Sequence, residues 1–291
     1  GTFRNPVVYA DIPDISITRA GEYYYMISTT MHLMPGGPVM RSKDLVNWET
    51  VSYVFDKLTD NSKYDLIGGT VYGRGQWASS IRYHNGKFYV LFSPNDVPYR
   101  SYIFTADDPA GKWELLSRTQ HFHDASLFFD DDGRVYVFYG TGELKELKSD
   151  LSDVKPDGVS MKIFERDADE QGLLEGSQVV KYNGKYYMLS SGCTGWDPNV
   201  AELAVADSIM GQWTTIGNPC TGPDADKTFY AQSTYVQQVY GKGNAYIAMF
   251  DRWKKKNLED SRYVWLPLEF GKDGTITIPW RDSWDLRTQW E

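Results

Sequence analysis

Five short apolar hairpins recur along this 291-residue chain, each built round a glycine, and this repeat is what most limits the fold. Trp77, Asp124, Glu175 and Gln232 precede their turn glycines (Gly86, Gly133, Gly184 and Gly241) by nine positions. Asp14 precedes Gly21 by seven. The flanking runs, such as ASSIRYH with KFYVLFS and GSQVVKY with KYYMLSS, are rich in β-branched and aromatic residues and read as strands. The turn glycines lie 65, 47, 51 and 57 residues apart, which suits propeller blades of about four strands. A second phrase, a polar turn followed by a Trp-bearing strand, recurs as SKDLVNWE, ADDPAGKWEL and ADSIMGQWTT. Helical periodicity is scarce. Its one short candidate, GELKELKSDLSD at 142–153, also reads as strand and turn. The expectation is one all-β domain, a five-bladed β-propeller spanning residues 1–291.

Composition narrows the partners. The net charge of -9 argues against nucleic acid and anionic membranes, both of which select basic patches. No apolar run approaches the roughly 18 residues of a membrane helix. No CxxC or HExxH signature marks a metal site. Cys193 and Cys220 leave both a disulfide and two separate thiols open. The 21 Tyr and 10 Trp fit a β-core, with some left over to stack on sugar rings.

If the first strand of each hairpin is innermost, Asp14, Trp77, Asp124, Glu175 and Gln232 ring one mouth of a central channel. A register slip of one residue would turn any of them away. Carboxyls near one axis, beside an aromatic, suit glycoside hydrolysis. An inverting enzyme needs a general base for water and a general acid for the leaving oxygen, roughly 6.5–9.5 Å apart. A third carboxylate can raise the acid's pKa by like-charge repulsion. Each acid also has an ordinary structural reading: Asp14 as a strand cap, Asp124 as part of the DDDG turn chemistry, Glu175 as a solvated loop acid.

At these residues the chain resembles glycoside hydrolase family 43. YADIPDISITRAGEYYYMISTTMHLMPGGPVMRSKDLVNWE is similar to the family's first blade, HDASLFFDDDGRVYVFYG to its second acidic motif, and LLEGSQVVKYNGKYYML to its general-acid motif. The resemblance implies Asp14 as base, Asp124 as pKa modulator and Glu175 as acid. It implies that Arg262, in DSRYVW, orients the sugar or holds Asp14 or Glu175 by a charge-assisted bond. Trp77, His32 and Trp196 become candidate sugar contacts, with packing the competing role for His32 and Trp196. Residues 1 to about 190 resemble the β-xylosidase and α-L-arabinofuranosidase branch. From about Ser191, SSGCTGWDPN, AQSTYV and DRWKKKNLEDSRYVWLPLEF resemble the exo-β-1,3-galactanase branch. In part of that branch a Gln at the AQS position is proposed to serve as base where the first-blade Asp is absent. This chain has both, which suggests a recombined or engineered sequence, or an unusual intermediate member. Asp14 remains the stronger base, and Gln232 is left to bind a hydroxyl or position water.

The resemblance further implies an exo-acting, inverting enzyme on terminal β-xylosyl or α-L-arabinofuranosyl units, secreted or periplasmic, monomeric and without a required cofactor. The alternatives are an exo-β-1,3-galactanase and a carbohydrate-binding propeller with little or no turnover. Family members often hold Ca²⁺ in the channel on a fifth-blade His. The last His here is His123, so that ligand is missing.

Overall fold

Glycine turns set the strand pairing as the spacing implied. Gly21, Gly86, Gly133, Gly184 and Gly241 all have positive φ, between 59° and 84°. Asn85–Gly86 and Asn183–Gly184 both place two residues at φ > 0, the backbone of a two-residue hairpin that matches strand twist. His84 accordingly pairs with Lys87, and Tyr182 with Lys185. The computed structural model describes residues 2–163 and 174–290, which fall into two units, Asp14–Met161 and Gly1–Pro13 with Lys162–Glu291.

The first unit carries three four-stranded antiparallel sheets. They are Ser16–Ala20, Tyr23–Ile27, Gly36–Ser42 and Glu49–Phe55; Gln76–His84, Lys87–Pro94, Arg100–Ala106 and Glu114–Gln120; and Ser126–Phe129, Val135–Tyr139, Glu143–Leu147 and Ser160–Lys162. The helical candidate at 142–153 is therefore strand over Glu143–Leu147 and turn after it. The first strands of neighbouring sheets touch. Arg82 donates to Ser16 Oγ (2.9 Å) and Ser126 Oγ (3.2 Å), and Leu127 N donates to Ser80 Oγ (3.0 Å). Outer strands such as Glu114–Gln120 are largely exposed, whereas Ile81, Val90 and Leu127 are fully buried. First strands are thus inner strands within this unit.

The second unit holds one four-stranded sheet, Leu174–Tyr182, Lys185–Gly192, Ala201–Ala206 and Thr214–Gly217, and a three-stranded sheet, Gln232–Gln238, Tyr246–Arg252 and Arg262–Pro267. A further three-stranded sheet joins Cys220–Thr221, Ile276–Pro279 and Glu269–Phe270. Thr2–Arg4 pairs with Ser283–Asp285. The core here gathers Tyr187, Phe229, Phe250, Val264 and Ile278.

The fold is all-β, but the expected count of five blades is corrected to six: the described residues form six sheets of three or four strands, three to a unit. The sixth escaped the repeat because it has no glycine hairpin of that register. Its strands run two to four residues, and the parallel pair Cys220 with Ile278 joins chain segments far apart in sequence. The Trp phrase has one local cause. Trp48, Trp113 and Trp213 each donate their indole N–H to a carbonyl three or four residues back (Leu45, Pro109 and Ile209, at 3.1, 3.2 and 3.0 Å), closing the turn before the outer strand.

Candidate active site

In the first unit, two acids sit at the entrances of inner strands on left-handed backbone. Asp14 has φ 52° and Asp124 has φ 47°. Asp is among the few non-glycine residues that tolerate this region, and such strain concentrates at functional positions. Thr29 donates its hydroxyl to Asp14 Oδ2 at 2.7 Å, which fixes the carboxylate's rotation. Asp124 Oδ2 lies 3.3 Å from His123 Nε2. Burial pushes the Asp124 carboxyl above the ordinary Asp range, and His123 and His121 offset only part of that rise. The side chain still keeps 22% of its surface open, so the carboxyl lies deep among protein atoms yet within reach of water. Burial also lowers the pKa of His121, as does repulsion from His123.

Trp77 and His32 share a support in this unit. Trp77 Nε1 donates to Gly73 O (3.1 Å), and Gly73 N donates to His32 Nδ1 (3.2 Å). The Trp77 ring lies 6.0 Å from that of His123. Beneath them, fully buried Gln76 accepts from Thr30 N and Oγ1 (2.7 and 2.8 Å) and donates to Ser28 O and Ser79 Oγ (2.9 and 2.6 Å). The sequence reading missed Gln76, Thr29 and Tyr72; Gln76 adjoins Trp77, but its burial has no mark in the sequence.

In the second unit, Glu175 is the second residue of the strand Leu174–Tyr182 and pairs with Ser191, and a β-bulge follows between Glu175 and Gln178. Bulges re-aim side chains. Gly176 has φ +64°, and a Cβ there would meet Ser233 O at 2.9 Å, so this strand runs hard against the one that starts at Gln232. Ser191 Oγ joins them, accepting from Ser233 N at 2.8 Å. Segment 192–199 then draws the candidates together. Cys193 Sγ donates to Glu175 Oε2 (3.3 Å), and the Gln232 amide donates to Gly195 O and Asp197 O. Trp196 stacks on Trp253 with centroids 5.6 Å apart, and Lys255 pairs with Asp197 at 2.7 Å. The Arg262 guanidinium pairs with Asp260, donates to Ser261 O at 3.1 Å and lies 4.5 Å above Tyr9. No disulfide joins the two cysteines. Cys193 is exposed, while Cys220 is buried and its thiol is pushed up to about 12.

The chain matches the family model described as glycosyl hydrolases family 43 over residues 3–276. It is 29% identical over 233 residues to a β-xylosidase of Formosa agariphila, covering 77% of this chain and 36% of the relative. It is 32% identical to a non-reducing-end α-L-arabinofuranosidase of Bacteroides ovatus, covering 67% of this chain and 37% of the relative. The chain therefore spans little more than a third of each relative's length. A solved family-43 β-1,3-galactosidase bound to galactodeoxynojirimycin superposes with a TM-score of 0.80 at 26% identity, covering 95% of this chain and 96% of that one. One family model runs through both portions of the sequence, and the expectation of a recombined or engineered chain finds no support in it.

Proposed function

The chain belongs to glycosyl hydrolases family 43, and on that premise we propose an inverting, exo-acting glycoside hydrolase that releases terminal β-xylosyl or α-L-arabinofuranosyl units from oligosaccharides. The observation that carries the reading is the shared placement of the acids. Asp14 and Asp124 stand just ahead of the first strand of their sheets, and Glu175 is second in the first strand of its own. Thr29 holds the Asp14 carboxylate in one orientation, as a base requires. Asp14 takes a proton from water as the water oxygen bonds to the anomeric carbon. Glu175 gives its proton to the leaving oxygen as the glycosidic bond breaks, and the anomeric configuration inverts. Asp124 tunes Glu175. Trp77 and Trp196 contact the terminal sugar, His32 binds the substrate, Gln232 holds a hydroxyl or water, and Arg262 orients the substrate. No cofactor enters the reaction, and the protein acts as a secreted or periplasmic monomer.

A second substrate, terminal galactose of β-1,3-galactan, draws support from the solved β-1,3-galactosidase, whose whole length this chain nearly covers. A panel of 4-nitrophenyl xyloside, arabinofuranoside and galactoside separates the two. Asp14→Asn and Glu175→Gln should each lower kcat by about 10²-fold or more at unchanged Tm. Near-full activity in either variant removes the assignment. Sugar binding without turnover by the unmodified protein indicates a binding propeller instead.

A further inference from the structure

The loop 69–75, GTVYGRG, holds more than Trp77. Tyr72 is 77% exposed. Its ring centroid lies 4.5 Å from that of His32, at 39°. Gly73 N–H donates to His32 Nδ1, so in the neutral imidazole the proton sits on Nε2, which becomes a donor. The same Gly73, through its carbonyl, holds the Trp77 indole. The loop is locked in place. Met31 and Gln76 exchange both backbone hydrogen bonds (2.9 and 3.0 Å), and a Cβ on Gly75 would come within 2.4 Å of Met31 O. Two residues before Met31, Thr29 holds Asp14.

We propose that Tyr72 and His32 form a platform for the sugar on the leaving side of the scissile bond, Tyr72 stacking on its ring and His32 Nε2 donating to one of its hydroxyls. The assignment rests on the glycosidase reading. An exo-acting enzyme encloses the terminal unit beside its catalytic acids and lets the rest of the oligosaccharide run outward. Trp77 is half-buried and Tyr72 open, so the two rings that adjoin Gly73 differ in exposure, and the open one suits the sugar that runs outward. Sugar rings present apolar C–H faces that aromatic rings cover, while a few fixed polar groups set orientation. A loop locked before binding loses little entropy on binding.

The test compares the unmodified protein with Tyr72→Ala, Tyr72→Phe and His32→Ala on xylobiose and β-1,3-galactobiose. Tyr72→Ala should raise KM for the cleaved disaccharide about tenfold, or ~1.4 kcal/mol, with kcat within about twofold. Tyr72→Phe should keep the original KM, and His32→Ala should raise it. Inhibition by the free monosaccharide, which fills only the inner subsite, should not change. An unchanged disaccharide KM in Tyr72→Ala overturns the platform while leaving the glycosidase reading intact. If the unmodified protein cleaves neither disaccharide, the glycosidase reading fails separately. Titration calorimetry with the same sugars then decides the platform, and equal Kd for the unmodified protein and Tyr72→Ala overturns it.

Discussion

Asp124 and Glu175 carry the same chemical group at the same distance from their turn glycines, yet their backbones are built differently. Asp124 is itself left-handed, at φ 47°, and its strand pairing begins two residues later, at Ser126. Glu175 already pairs with Ser191, and the left-handed turn falls on Gly176. Asp14, at φ 52°, follows the Asp124 plan. The difference accounts for the residue types. A short Asp tolerates the left-handed region, whereas the longer Glu stands beside a glycine that takes it. The surroundings differ as well: Asp124 has a deep carboxyl beside two histidines, and Glu175 a half-buried carboxyl that accepts from an exposed thiol.

Gly176→Ala should break the second plan with the largest effect. It places a side chain at φ +64° and against Ser233 O, so chemical denaturation should show a loss of about 1–2 kcal/mol, with lower kcat as the Glu175 strand shifts. A Tm and a kcat equal to those of the parent would remove the idea that glycine bears the turn for Glu175.

Asp124→Asn sharpens the first plan, since Asn also accepts left-handed backbone and the change isolates charge. The folded carboxyl's pKa is raised above the unfolded value, so the unfolded state releases its proton first and stability falls as pH rises past about 4. The variant should therefore melt higher than the parent at pH 7, and the gap should close by about pH 3. A lower Tm at pH 7 would point to hydrogen bonds of the charged carboxylate that outweigh its burial.

His121 gives the smallest and opposite effect. Its folded pKa lies below 6.5, so the unfolded state takes up a proton first and stability falls as pH drops below that value. His121→Gln should flatten the decline of Tm between pH 6.5 and 5. An unchanged slope would assign the decline to other groups.

Local sequence determined much of this. The five hairpins were legible because each turn needs a glycine or Asn-Gly pair at positive φ, and the Trp phrase because its hydrogen bond spans three or four residues. Asp14, Asp124 and Glu175 could be singled out by spacing from those turns. Only the tertiary structure decided the sixth sheet, where Cys220 pairs with Ile278 across a long stretch of chain with no turn signal. It also decided that Gln76 is buried with its amide satisfied by Ser28, Thr30 and Ser79, that Cys193 meets Glu175, and that Tyr72 lies open against His32. Spacing encodes contacts made within a turn or a hairpin. Burial and contacts between distant segments depend on which strands pack together, and no short window of sequence records that.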